Sequence, residues 1–125
     1  MAGTIVSDTI QNGAGTSTST SNVIAGCAKA WCNYNALTAT IRSSFNVSSI
    51  TVIGTGQYVF NFTTAMPNAN YSANVMQGWN NYNNGGQSQI NDSASTSSAV
   101  AVGLLNYNSS LYVAPTTVSI QVFSS

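Results

Sequence analysis

Residues 47–71 constrain the fold of this chain more than any other part of its sequence. After a short glycine-containing turn at 54–56, aromatic side chains occupy every second position: Tyr58, Phe60 and Phe62. A period of two is typical of a strand with one buried face. Before the turn, Ile50 and Val52 share a face in the same way, which predicts a β-hairpin whose glycines supply the positive φ of the loop. A lone hairpin cannot cover this aromatic face, so other strands must pack on it.

Other stretches show similar strand patterns between turn residues. Strands are predicted at 37–45, from 71 onwards, at 99–105 and at 117–123, the last with Val118, Ile120 and Val122 on one face. The stretch 23–35 is small and apolar on both faces, which is typical of a strand buried on both sides. About eight short strands without helical periodicity predict an all-β domain, an antiparallel β-sandwich or jelly-roll-like fold.

The alternation also predicts which large residues of the first strands face the core. In 37–45 the residues expected on the core side are Leu37, Ala39, Ile41 and Phe45. Arg42 falls on the polar side, as a solvated or interface residue, and Trp31 is expected in the core.

The two cysteines, Cys27 and Cys32, are both expected to be unpaired and buried. If both lie in one strand, their spacing separates them by about 16 Å, beyond the roughly 7 Å that a disulfide spans. Free cysteines usually behave as small buried hydrophobes.

The chain of 125 residues has the length of one domain, preceded by a segment of different composition. Residues 1–22 hold a possible short strand at 4–10 and then a Gly/Ser/Thr-rich stretch of linker composition. Two interpretations remain open: a flexible arm, or an extended segment that docks on a neighbouring subunit or an assembly partner. We therefore predict an N-terminal arm over 1–22 and a β-sandwich over 23–125.

Charge is nearly absent, with Asp8, Lys29, Arg42 and Asp92 as the complete set of charged residues. A net charge of zero argues against nucleic acid as a partner, and no apolar run is long enough to insert in a membrane. It also removes the repulsion that keeps proteins apart, so we expect an obligate homo-oligomer or a component of a larger assembly.

The same inventory argues against catalysis. Acid–base chemistry needs a titratable group near neutral pH or paired carboxylates, and serine nucleophiles need an activating base, yet the chain has no histidine. Two cysteines cannot complete a zinc site. We expect no enzyme, no metal and no cofactor.

One polar loop carries the candidate ligand-binding residues. The loop 79–86 combines two aromatic rings with side-chain amides, and its candidate residues are Trp79, Asn80, Tyr82 and Asn83. Rings offer apolar faces and amides offer paired donors and acceptors, which suits a sugar. Alternatively, the two rings pack in a trimer interface.

Most of the chain, apart from roughly residues 76–112, consists of segments that share one resemblance: TIVSDTIQNGAGTSTSTSNVI, AKAWCNYN, IRSSFNVSSIT, GTGQYVFNFTTAMPNANYS and the closing VSIQVF. Together they resemble the small β-domains of bacteriophage tail fibres, frequent among phages of aquatic bacteria. The resemblance implies a virion structural protein, a distal trimeric fibre module that contacts the host surface. Cys27, Cys32 and Gln57 depart from the pattern without disturbing a strand.

The resemblance leaves two functions open. The first is a tail-fibre module that binds a host receptor or surface glycan, and the second is a head fibre, capsid decoration or cement protein with a purely structural role. Because Met1 opens the chain with no shaft before the domain and no secretory signal is visible, we expect a free-standing virion protein made in the host cytoplasm. It would attach to other virion proteins through its arm.

Overall fold

The computed structural model describes residues 3–79, 86–106 and 114–124. In this part of the chain, short strands dominate, with one helix, α1 (Thr20–Gly26), and a 3₁₀ turn at Asp92–Ala94. The strands, in chain order, are β1 (Thr9–Gln11), β2 (Ser17–Ser19), β3 (Ala30–Asn35), β4 (Thr40–Phe45), β5 (Val47–Gly54), β6 (Gln57–Phe62), β7 (Ser72–Gly78), β8 (Gly86–Ile90), β9 (Ala99–Asn106) and β10 (Thr117–Phe123).

Eight of these strands form two four-stranded sheets in which neighbours run antiparallel. The first sheet has the order β4-β3-β10-β7 and the second has the order β5-β6-β9-β8. Hairpins join β3 to β4, β5 to β6 and β8 to β9 within a sheet, and the other connections cross between sheets. The all-β antiparallel sandwich expected from the sequence is confirmed.

The core lies between the inner faces of the two sheets. Alternate residues of β3 and β10 pack against alternate residues of β6 and β9, which buries Phe60, Leu104, Ile120, Val100, Val118 and Val122 almost completely. The aromatic stripe of β6 is buried as predicted, with Tyr58, Phe60 and Phe62 between 0 and 7% exposed. Tyr34 of β3 meets Tyr58 and Phe60 edge to face, with ring centroids 5.6 and 6.3 Å apart. The opposite sheet is therefore the cover that the hairpin requires.

The β5–β6 hairpin is present, with a loop that is one residue shorter than predicted. Val52 pairs with Tyr58 and Gly54 pairs with Gln57, so Ile53 is an extra residue on β5. Gly54 belongs to the strand, and Thr55 and Gly56 form the loop. Gly56 has a φ of 66°, the left-handed conformation that a glycine adopts without strain.

An extra residue in β4 overturns the predicted facing of residues 37–45. Tyr34 pairs with Ile41 and Asn33 pairs with Ser43, so Arg42 is the unpaired residue of a β-bulge. A bulge shifts the alternation by one position. Ile41 faces the core as predicted, but Phe45, opposite Trp31, lies on the outer face.

Four residues expected in the core are exposed instead. Phe45 is 55% exposed, and Trp31, expected in the core, is 37% exposed. Leu37 and Ala39 lie in the turn before β4 and are also exposed. Leu37 and Ala39 were misplaced because the predicted strand extended back through the turn, Phe45 because of the bulge, and Trp31 because it lies opposite Phe45 on the outer face.

The prediction of a strand over 23–35 is correct only from Ala30. Residues up to Gly26 belong to α1, whose first turn is capped by Ser19, with its Oγ accepting from the Asn22 N–H at 3.1 Å. Cys27 follows the helix and is exposed, so its predicted burial is wrong, whereas Cys32 on β3 is buried. Both thiols are free.

The N-terminal segment stands apart from the core, and its extended form is not confirmed. β1 and β2 pair as a small hairpin, and α1 follows β2 directly. The strand expected at 4–10 is found only from Thr9. No residue between 3 and 29 is buried, and Ile5 and Val6 are 94% and 91% exposed.

Candidate functional site

The predicted loop site belongs to one end of the sandwich, here called the loop end. Thr117 pairs with Gly78 and Gly86 pairs with Asn106, so four strand ends lie together there. β7 and β9 end there, and β8 and β10 begin there. Asn80, Tyr82 and Asn83 lie outside the described residues, and Trp79 is the one predicted site residue that the structure places.

Trp79 and its neighbours at the loop end are closely packed. The indole is half-buried, and its Nε1 is shielded from solvent without a hydrogen-bond partner among the described residues. Nε2 and Oε1 of Gln77 are likewise shielded from solvent and have no hydrogen-bond partner among the described residues. A Cβ on Gly86 would lie 2.2 Å from Gln77 Nε2 and 2.3 Å from the Leu105 carbonyl oxygen. Trp79 therefore offers only part of its ring to a ligand, and Gly86 cannot take a side chain without local rearrangement.

The opposite end carries an open apolar cleft of about 570 Å³, here called the arm-root cleft. Its wall is the loop 63–67 with Phe45 and Lys29, next to the point where the N-terminal segment joins β3. Asn46 holds this wall together: its Nδ2 donates to the carbonyl oxygens of Lys29 and Thr64, both at 3.0 Å, and its Oδ1 accepts from the Thr64 N–H at 2.7 Å. The cleft is thus part of the corner at which the chain crosses from β4 to β5.

A third concavity lies beside β7 and β8 and is here called the side cleft. It measures about 460 Å³ and mixes polar with apolar walls formed by Ala69, Asn70, Tyr71, Ala73, Ile90, Asp92 and Ser95. The Tyr71 hydroxyl donates to the Ala99 carbonyl oxygen at 2.7 Å, and its ring meets Phe62 edge to face at 5.8 Å. Burial raises the pKa of Tyr71, the nearby Asp92 carboxylate raises it further, and a hydrogen bond with Ser95 acts in the opposite direction.

Sequence reasoning missed the side cleft and part of its wall. The strand β8, GQSQI, carries one large apolar residue, Ile90, and so shows no clear alternation. The available signal was Asp92, the one carboxylate outside the N-terminal segment. Its closeness to Asn70 and Tyr71 depends on the packing of the two sheet edges, which sequence order does not contain.

The outer face of the first sheet is polar around Arg42, as expected. The Arg42 guanidinium donates to Asn33 Oδ1 at 3.2 Å and to Thr117 Oγ1 at 2.7 Å, and so spans three strands. The Arg42 side chain therefore links neighbouring strands on the surface of the sheet. Beside it lie the partly exposed Trp31 and Phe45.

The buried Cys32 thiol offers little chemistry. Burial raises the pKa of the Cys32 thiol to about 11, so the thiol stays protonated and unreactive near neutral pH. The described residues include no group of three or more His, Cys, Asp or Glu side chains that could hold a metal ion. Within the same ranges, no helix is long and apolar enough to span a bilayer.

Comparison with known proteins gives no match: no protein-family model matches this sequence, and neither a curated protein nor a solved structure is significantly similar to it.

Proposed function

We propose that this chain is a structural protein of a bacteriophage virion, a tail-fibre-type module that contacts the host cell surface. The observation that carries the proposal is where the resembling segments lie. They supply β3, β4, β5, β6 and β10. These strands make up most of the core and include the point between β4 and β5 where the chain passes from the first sheet to the second. The part without resemblance, roughly 76–112, includes the end of β7, the start of β8 and the end of β9, which lie at the loop end. Binding residues are commonly carried on loops that a rigid scaffold holds in position.

Self-association is the second part of the proposal. Ile5, Val6, Ile24 and Met76 are 63 to 94% exposed in the single chain, and only four charged residues oppose association. Exposed apolar side chains of this kind are typical of surfaces that another molecule covers. We expect a homotrimer, with the N-terminal segment in contact with another copy or with another virion protein.

Localisation on the virion tests this function directly. Gold-labelled antibody against the recombinant protein should mark the tail fibres in electron micrographs. Label on the capsid would instead establish the alternative, a head fibre, decoration or cement protein, which the exposed apolar N-terminal segment also suits. A particle without label would contradict both.

Competition for adsorption tests the contact with the host. Purified protein added before the phage should slow adsorption, and the double variant Trp79→Ala, Tyr82→Ala should lose much of this effect while its fold is retained. Trp31→Ala is the matched control, since it removes the other tryptophan from the side of the sandwich. Equal competition by wild type and the double variant would exclude the loop end as the contact site.

A further inference from the structure

The side cleft combines unused polar groups with an apolar wall on a rigid frame. We infer that it is a binding site for a neutral sugar unit, whose hydroxyl groups hydrogen-bond to the Asp92 carboxylate and the Asn70 side-chain amide. The inference rests on the proposed function only for the source of the sugar, a polysaccharide of the host surface.

The two polar groups are free to bind. Neither the Asp92 carboxylate nor the Asn70 side-chain amide has a hydrogen-bond partner within the described part of the chain, although both line the same cleft. A carboxylate accepts through two oxygens, and an amide both donates and accepts. Adjacent sugar hydroxyls need the same combination, because each of them both donates and accepts.

The rest of the cleft is fixed before any ligand arrives. The Asn91 carbonyl oxygen accepts from the Ser95 N–H at 3.0 Å and from Ser95 Oγ at 2.8 Å, and the same Oγ accepts from the Ala101 N–H at 3.1 Å. These bonds hold the short turn that carries Asp92 against β9. Tyr71 is anchored at both its hydroxyl and its ring. A preformed site loses little conformational entropy on binding.

Size and polarity also fit one sugar unit. The volume of about 460 Å³ falls within the range of roughly 300–1,000 Å³ that small-molecule pockets occupy. Ala73 and Ile90 are half-buried and provide apolar contact for the C–H groups of a sugar ring. The cleft is thus amphipathic, as a sugar is.

Charge sets the specificity of the site. Asp92 is the one charged residue in the wall, and neither Lys29 nor Arg42 lines the cleft. A sugar acid would bring a second carboxylate towards Asp92 with no cation to offset it. Neutral sugars should therefore bind and sugar acids should not.

Nuclear magnetic resonance of the ¹⁵N-labelled full chain tests the site with defined probes. These are the methyl glycosides of glucose, galactose, mannose and N-acetylglucosamine, with methyl glucuronide as the anionic comparison. At least one neutral glycoside should shift the amide signals of Ala73, Ile90, Asp92 and Ser95 in a saturable way. The expected Kd is about 1–10 mM, typical of a few hydrogen bonds to one small ligand.

Two matched aspartate variants separate specific binding from a general charge effect. Asp92→Asn keeps the size of an exposed side chain and should weaken binding about tenfold or more, because a charged hydrogen-bond acceptor is lost. Asp8→Asn makes the same change in the N-terminal segment and should leave Kd unchanged. Asn70→Ala should also weaken binding. Absence of saturable shifts in the cleft, shifts centred on Trp79, or equal Kd values for Asp92→Asn and wild type would each overturn the inference.

The sugar site and the virion function fail in different ways. Glycoside binding by a protein that labels no part of the virion would leave the site intact and remove the proposed function. Virion label and adsorption competition without any glycoside shift at the cleft would support the proposed function and remove the sugar site.

Discussion

At the scale of single residues, Asn46 shows how one side chain fixes the sandwich. It occupies the one position between β4 and β5, where the chain passes from the first sheet to the second, and its φ is 54°. Asparagine tolerates this left-handed conformation better than other residues with a Cβ. Its amide also joins the carbonyl oxygens of Lys29 and Thr64, which belong to two other segments. The sequence shows an asparagine in a polar chain, but neither its φ nor its partners.

Asn46→Ala should lower the free energy of unfolding by about 2–4 kcal/mol, because three side-chain hydrogen bonds are lost and alanine is strained at positive φ. Urea titration followed by tryptophan fluorescence measures the change. Asn68→Ala is the control, since Asn68 Oδ1 accepts a single local hydrogen bond from the exposed Asn70 N–H, and it should cost less than about 1 kcal/mol. An Asn46→Ala midpoint equal to that of wild type would show that the corner is held by other contacts.

At the scale of elements, β6 and β10 were predicted together with their buried faces, whereas the facing of β4 and the helix α1 were not. β6 and β10 bury the side chains that the period of two selects. β4 contains a bulge at Arg42, and a bulge is defined by the partner strand, so the sequence of β4 alone cannot reveal it. α1 was missed because seven residues with a serine cap carry too short a pattern to be recognised as helical.

The candidate sites follow the same rule. Trp79 was predicted as a site residue because of the unusual composition around it, and the structure adds that its indole N–H is shielded from solvent. The side cleft brings Asn70 and Asp92 together from separate segments beside β7 and β8. Such a site depends on which strands form the edges of the two sheets, and the residues near Asn70 or Asp92 in the sequence do not show this.

The N-terminal segment leads to a prediction about assembly. Ile5→Ser with Val6→Ser should convert the oligomer to monomers and change the free energy of unfolding of the sandwich by less than about 0.5 kcal/mol, because neither side chain is buried within the chain. Light scattering gives the mass, and urea titration gives the stability. Ile53→Ser is the matched control, an exposed isoleucine on β5 that should leave the mass unchanged. A monomeric mass for the well-folded wild type would contradict self-association itself.

At the scale of the whole molecule, a protein with four charged residues and no histidine has few groups whose titration can change its stability. The groups that do respond are buried or half-buried: burial raises the pKa values of Cys32, Tyr34, Tyr58 and Tyr71 above their usual values. The folded state therefore keeps these protons at a pH where the unfolded chain has already lost them. Stability is fully present below the unfolded pKa values, which begin at 9.0 for cysteine, and is lost as the pH rises towards the folded values.

Between pH 9 and pH 11, stability should fall by about 1–3 kcal/mol, since each unit of pKa difference corresponds to about 1.4 kcal/mol and the thiol titrates first. Urea midpoints at pH 7, 9, 10 and 11 measure the loss. Cys32→Val removes the thiol from the core with little change in shape, so its stability should stay level through the first part of this range and fall only when the tyrosines ionise. An identical decline in wild type and Cys32→Val would show that the buried thiol plays no part in the alkaline loss.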